Sequence, residues 1–576
     1  MIADILETVD LQDVGVEGLL GERIDITWKK NLPALDVDGD FLRPFQDKKE
    51  GGGYIGLGKL MDALVHFAYY TGDKPVLSLK KHIFNELIKG QLPDGYIGMY
   101  SPENRISRLW DVHEISYIIL GLVSDYRYFS EQGSLEAAGK AADYLMANLP
   151  GKRSQLLHFG KVGPELSTLG LERALLSLHN ITGDRRYPDF CIEDQDLLNW
   201  DLEIILGRHG KILGHAYAFL HRCIAQLELY HIRRDEKLLS QTRKVIDFLT
   251  QKGGLAITGS CGMTECWHTD QSGEGDLGET CTTAYLIRLL DILLRLEGKA
   301  FYGDMMERAI YNALFAAQSP DGRKIRYYTP FEGKREYWDK DTYCCPNNFR
   351  RTIAELPGMI YYKSSGGLMV NLYTTSRLTT EITPGLRLEV HQETDYPNSG
   401  NVFIHLHPSE TAKFPVRLRI PAWCQKFAVR VNNKPLSAPG EGNFLIIERK
   451  WKAGDNITLK MEMNWRLVRG FNRQQGRVAV MRGPSLFCLS PSRNNIPAGG
   501  DLKAITIAPS TLQPPMTDDT LRSKGIVCHV KAYSQGAGAG NIPDMDLMLT
   551  EFPDPEGEAT YFLTSDMTTA IDDELL

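Results

Sequence analysis

The chain lacks what a membrane or nucleic-acid protein would need. No apolar stretch among its 576 residues is long enough to cross a bilayer, and no basic run interleaved with aromatics occurs. Met1 to Glu7 form neither a basic leader nor a sustained apolar core, so the chain as written is expected to be soluble. It would be cytoplasmic as written and periplasmic if a leader had been removed, which leaves the compartment open. A net charge of −8, with lysines and arginines dispersed, argues against nucleic acid as a partner. Cysteine is scarce as well, and ten in a chain of this size do not make a disulfide framework.

Those few cysteines are unevenly placed. Cys261, Cys266, Cys281, Cys344 and Cys345 crowd the middle of the chain, interleaved with Glu265, His268, Glu274 and Glu279. Cys344 and Cys345 are adjacent in Tyr343-Cys344-Cys345-Pro346-Asn347, and Glu279-Thr280-Cys281 lies well upstream. Three thiols and a carboxylate suit the inner shell of one zinc ion, because soft sulfur favours zinc over magnesium or calcium. The alternative is burial of the same thiols as small apolar side chains. Glu279 and Cys281 flank a predicted helix start, with Thr280 or Thr282 available to cap it.

The length implies about two to four domains. From about residue 55 to 320, apolar positions recur at helical spacing, as in the run from Leu60 to Tyr70. Similar stops recur at Thr71-Gly72-Asp73, Thr182-Gly183-Asp184, Arg233-Arg234-Asp235 and Glu297-Gly298-Lys299, with a weaker one near Gly133. Their spacing fits repeated helical hairpins, closed into an (α/α)6 barrel or stacked as an open solenoid. After about residue 365 the pattern becomes short alternating runs, such as Val402–Leu406, Val416–Ile420 and Phe427–Val431 before Asn432-Asn433, which predicts β-sandwich structure. The expected divisions are an N-terminal extension 1–20, a helical domain 21–363, a β-sandwich domain 364–472 and a second β-rich domain 473–576. Residues 571–576 are expected to fray.

Several segments carry a resemblance. They include Pro93-Asp94-Gly95-Tyr96, Trp110 with His113-Glu114, Gly214-His215-Ala216, Gly259-Ser260 leading to Glu265, and Glu279-Thr280-Cys281. The run from Tyr302 to Arg308, Tyr343-Cys344-Cys345-Pro346, Arg419-Ile420-Pro421-Ala422-Trp423-Cys424 and Arg482-Gly483-Pro484 follow in order. Together they resemble the bacterial β-L-arabinofuranosidase family of zinc-dependent glycoside hydrolases. The resemblance implies a multidomain α+β chain, with a catalytic (α/α)6 barrel followed by β-sandwich, jelly-roll-like domains. It also implies retaining exo-cleavage of an L-arabinofuranosyl-type sugar from plant cell-wall glycans. Cys344 would be the nucleophile, Glu265 the general acid and base, and Zn2+ would be held by Glu279, Cys281, Cys344 and Cys345. Glu274 competes with Glu265 for the acid role. His113, His215 and Tyr327 look like residues that bond sugar hydroxyls, and the alternative for each histidine is a core position. Trp110, Trp267 and Trp338 could stack on a sugar or belong to the core.

Two departures bear on the sugar. The pocket histidine common in the family has no counterpart in Ser167-Thr168-Leu169-Gly170-Leu171-Glu172, and the residue before Tyr327 is Arg326 rather than phenylalanine. A guanidinium reads carboxylates, so Arg326 suits an acidic sugar as an alternative glycone, and the resemblance, to a family that includes an enzyme acting on aceric acid, implies an aceric-acid-like one. Two rival readings are a different (α/α)6 hydrolase or lyase acting on uronic-acid-containing glycans, and a non-catalytic glycan-binding protein with structural zinc. The β domains would shield the barrel or dock a second subunit to form a homodimer.

Overall fold

The computed structural model describes residues 4–48, 53–150, 167–207, 214–437, 442–497, 500–534 and 542–576. Its helical part is built from pairs: α1 (Leu57–Thr71) with α2 (Lys74–Lys89), α3 (Asp111–Phe129) with α4 (Gln132–Asn148), and α5 (Leu171–Thr182) with α6 (Arg186–Glu193). Next come α7 (Ala216–Ile232) with α8 (Ser240–Gln251), α9 (Thr280–Glu297) with α10 (Ala300–Arg308), and finally α11 (Cys344–Glu355). Each odd-numbered helix packs on the next, and α11 returns to α1. The α1, α5 and α9 helices stop at Gly72, Gly183 and Gly298, which take positive φ of 61°, 73° and 66° where a side chain would be strained. Among the described residues no helix is long and apolar enough to cross a membrane.

Two sheets follow. One has the order β1-β3-β4-β8-β11, with β1 Leu6–Thr8, β3 Tyr361–Ser364, β4 Gly367–Val370, β8 Ala412–Ile420 and β11 Asn443–Trp451. The other has the order β10-β9-β12-β7-β6-β5-β2, from Lys434–Leu436, Phe427–Val431, Asp455–Met461, Asn401–Pro408, Leu386–Thr394 and Ser376–Thr383 to Val14–Val16. Buried and exposed residues alternate along β5 and β6, as a half-solvated sheet requires. Asn432 and Asn433, both at positive φ, form the tight turn between β9 and β10. The first residues are thus part of both sheets: β1 pairs with β3 and β2 with β5.

The helices and these sheets share one continuous core, joined by a buried ionic knot. Arg419 on β8 binds Asp304 and, at 2.6 Å, Glu307 of α10. Trp423 Nε1 and Tyr396 Oη also donate to Glu307, at 3.2 and 2.7 Å. Gly303 is required there, because a Cβ would lie 2.4 Å from Asn371 Oδ1 and 2.7 Å from Arg419 Cδ. Two of the segments that carry the family resemblance therefore meet each other, and they serve the domain joint.

The last nine strands, β13 (Trp465–Arg469) to β21 (Ala570–Ile571), form a third sheet with its own core and a closing pairing between β14 (Arg477–Arg482) and β15 (Ser485–Leu489). A separate apolar cluster, including Ala256, Leu277 and Phe331 from one side and Met481, Phe552 and Tyr561 from the other, holds it against the helical part. Glu332 adds a polar link, accepting the Thr560 and Tyr561 N–H groups at 3.2 and 2.9 Å. The expectation that 571–576 frays is wrong. Ile571 pairs in the sheet, Asp573 and Glu574 bind Arg308 at 2.9 and 2.5 Å, Glu574 also binds Arg466 at 2.7 Å, and Leu575 is buried.

Candidate active site

Helix N-termini converge on one site. Cys344 is the first residue of α11, Cys281 the second of α9, Glu279 the N-cap of α9, His215 the N-cap of α7 and Trp110 the N-cap of α3. Exposed N–H groups and the positive end of each helix dipole make such a place favourable for anions, thiolates included.

Ligand atoms of Glu279, Cys281, Cys344 and Cys345 all lie within 4.8 Å of one another. Cys281 and Cys345 sulfurs are 3.2 Å apart, and Cys345 Sγ is 3.6 Å from Glu279 Oε1. Thr282 donates to Glu279 Oε2 at 2.7 Å, whereas Thr280 donates to the Arg326 carbonyl, also at 2.7 Å; neither caps α9 as expected from the sequence. Asn348 Nδ2, one turn into α11, donates to Cys281 Sγ at 3.1 Å. Cys261 and Cys266 are buried outside this group.

Burial raises the Glu279 carboxyl well above its usual range, and the charges of Glu265 and Cys344 push it further. Burial likewise raises the Cys281 and Cys345 thiols. Cys344 moves the other way: burial opposes its ionisation, but hydrogen bonds from Cys281 and Cys345, the Lys59 charge and the Tyr327 hydroxyl outweigh it. Protein groups alone thus support one thiolate, on Cys344. A dication would let all four donors ionise, and three sulfurs with one oxygen fit zinc. Cys344 is also the only partly exposed thiol of the four-residue group.

Glu265 stands beside it. The Tyr327 hydroxyl donates to Glu265 Oε1 and lies 3.7 Å from Cys344 Sγ, so one hydroxyl touches both. His215 Nε2 is 3.9 Å from Glu265 Oε2, and its Nδ1 accepts the Ala218 N–H; burial lowers its basicity. Glu265 itself takes φ +65°, after Thr264 at +47°, and Tyr343 takes +94° just before Cys344. Non-glycine residues at such angles cost on the order of 1–3 kcal/mol each, and they cluster where a fold must aim a side chain. Glu274 is elsewhere, half-exposed and paired with Lys503.

Aromatic rings wall the site. Trp338 packs on Tyr327 and Tyr343 with centroids 5.1 and 5.7 Å away, while Trp110 and His113 pack on Tyr54 at 5.4 and 4.5 Å. Trp267 is fully buried between Phe219 and Phe248 and belongs to the core. Arg326 does not face Cys344 and Glu265. Its guanidinium is fully buried over Tyr337 and donates to the Ala316 carbonyl and, at 3.4 Å, to that of Pro555. Neighbours in an extended segment face opposite ways, so as Tyr327 turns toward the thiols, Arg326 turns away.

Several site residues were missed in the sequence. Asn348 follows the Cys-Cys-Pro-Asn run directly, and Glu114, next to His113, accepts the Ile55 and Gly56 N–H groups at 2.6 and 2.7 Å. Lys59 was legible only as a cation within the apolar stretch from Leu57 to Met61.

Comparison with known proteins gives the chain its family. A family profile described as the GH127 catalytic domain of β-L-arabinofuranosidase matches residues 38–358, and one for the GH127 middle domain matches residues 367–463. A non-reducing end β-L-arabinofuranosidase of Bifidobacterium longum subsp. longum is 25% identical over 498 residues, covering 75% of this chain and 74% of that protein. The fold is shared with a GH127 β-L-arabinofuranosidase from Geobacillus stearothermophilus T6, at TM-score 0.79 and 21% identity, over 96% of this chain and all of the other. A GH127 β-arabinofuranosidase named BT3674 superposes at TM-score 0.81 with 21% identity, covering 99% of each chain. The chain therefore belongs to the GH127 β-L-arabinofuranosidase family of glycoside hydrolases.

Proposed function

We propose that the protein is a retaining exo-glycosidase that removes a neutral L-arabinofuranosyl-type sugar from plant cell-wall glycans, with Cys344 as nucleophile and Glu265 as acid and base. The closed succession of odd-numbered helices supports an (α/α)6 barrel as its scaffold. The observation that carries the mechanism is the Tyr327 hydroxyl, which contacts both the exposed sulfur and the carboxyl oxygen. A nucleophile and proton donor that close suit double displacement, in which the two groups stand about 5–5.5 Å apart.

Cys344 sulfur attacks the anomeric carbon as Glu265 gives its proton to the leaving oxygen, so a C–S bond forms and the C–O bond breaks. Glu265, now a carboxylate, takes a proton from water, whose oxygen displaces sulfur from the same carbon. Cys344 leaves as thiolate, and the configuration is restored by two inversions. Glu279, Cys281, Cys344 and Cys345 would hold zinc. Bound there, zinc would keep the thiols deprotonated at neutral pH. His113 and His215 are suited to bond the sugar hydroxyls, and Trp110 and Trp338 to pack against its ring. With Arg326 turned away, the case for an acidic glycone loses its residue.

Cys344→Ser tests the reading. Turnover of a nitrophenyl β-L-arabinofuranoside should fall by about a thousandfold or more, on the scale seen when a nucleophile is removed, while zinc content falls less than in Cys345→Ser. An unaltered rate would reject Cys344 as nucleophile.

A further inference from the structure

One tyrosine ring away from Tyr343, which precedes Cys344, lies a cation that the mechanism above does not use. Lys59, in the first turn of α1, is fully buried, and its Nζ has no hydrogen-bond partner among the described residues. Instead it sits over the rings of Tyr117, Tyr54 and Tyr217, 4.4, 4.6 and 5.0 Å from their centroids. Three ring faces attract an ammonium but do not replace its lost water, so a lysine kept in this cage needs negative charge within reach.

The segment that carries the cage is fastened to the thiol site. Glu114 Oε2 is buried and without a hydrogen-bond partner, while Oε1 accepts the N–H groups of Ile55 and Gly56. The Ile55 carbonyl accepts the Tyr343 N–H at 2.9 Å, and Tyr54 packs edge-on against Tyr343 at 6.0 Å. A Cβ on Gly56 would meet the Tyr343 carbonyl oxygen at 2.9 Å. The segment carrying the lysine cage is thus fastened to the residue that precedes Cys344. The cage also reaches α9, where Tyr285, four residues after Cys281, shares a 2.6 Å hydrogen bond with the hydroxyl of Tyr117.

Three thiolates and a carboxylate around a dication sum to two net negative charges, held among buried side chains where solvent screens weakly. We propose that Lys59 is a positioning residue for this cluster: its caged ammonium offsets part of the net negative charge of Glu279, Cys281, Cys344 and Cys345 around the ion, and so sets how tightly zinc is held. The inference rests on the zinc reading given above. Sealed under Tyr54, the ammonium does not contact substrate. The cage explains why it is a lysine without hydrogen bonds: an ammonium tied to one carboxylate would spend its field there.

The zinc content of the purified wild-type protein is measured first, and protein that takes up no zinc would defeat the metal reading itself. With zinc bound, Lys59→Met and Lys59→Gln are titrated against a chromophoric chelator, and the melting temperature of each metal-free protein is recorded. Both variants should bind zinc about 10–100-fold more weakly, the range for groups that act on a metal from outside its ligand shell. Their metal-free melting temperatures should be unchanged or higher, because Lys59 is fully buried and its Nζ makes no hydrogen bond among the described residues for the substitution to break. Lys59→Arg, which keeps the charge, should restore most of the affinity. Wild-type affinity in both neutral variants would overturn the proposal. So would a loss of affinity accompanied by a lowered metal-free melting temperature, which is what a purely structural lysine would give.

Discussion

Glu332 should make the stability of this protein fall as the solution becomes alkaline. Its carboxyl is 4% exposed, and burial pushes it up to about 7, although the Tyr561 and Thr560 N–H groups favour the charged form. In the unfolded chain it titrates near 4.5. A group whose folded value is raised contributes its stability below the unfolded value and loses it as pH rises through the folded one. The gap of about 2.5 units, at about 1.4 kcal/mol per unit, corresponds to about 3 kcal/mol lost between about pH 4.5 and 8. Glu332→Gln keeps a carbonyl acceptor for both N–H groups and cannot ionise. Urea denaturation at fixed ionic strength should therefore show the variant gaining on the wild type as pH rises, by about 3 kcal/mol across that window. Parallel pH profiles for the two proteins would refute the assignment of a buried, neutral Glu332.

Other consequences can be measured directly. Tyr327→Phe removes a hydrogen bond to the Glu265 carboxyl and should lower kcat by about 10–100-fold, since bonds to charged groups are worth about 1.5–3 kcal/mol; an unchanged kcat would remove Tyr327 from the acid's support. Deleting residues 573–576 leaves Arg308, 2% exposed, without its two carboxylates, and should destabilise the fold by about 3–5 kcal/mol in thermal or urea unfolding. Arg326→Gln should leave KM for a neutral furanoside unchanged, and a raised KM would bring that residue back to the pocket.

Much of this architecture could be read locally. Gly72, Gly183 and Gly298 close helices because only a residue without a side chain takes positive φ freely, and the β turn at Asn432-Asn433 follows because asparagine tolerates the left-handed region better than other residues with a side chain. The thiols stood out because soft ligands are few in the chain. What could not be read depends on partners remote in sequence. Asp573 and Glu574 look like solvated surface charges until Arg308 and Arg466 are brought against them. Arg326 looked like a carboxylate reader because its neighbour Tyr327 does reach Glu265 and Cys344, and nothing in the order of residues tells which way an extended segment alternates. Lys59 is conspicuous within an apolar stretch, yet its three tyrosines come from separate parts of the chain.

The pairing of β1 with β3 and of β2 with β5 has a kinetic consequence. During synthesis the first two strands leave the ribosome long before their partners at 361–364 and 376–383 exist. Until then their backbone edges stay open, and contacts of such long sequence separation form slowly. These two edges must therefore wait, unpaired, until the sheets they join have been made, and an early pause in translation would be when this protein is most prone to aggregate.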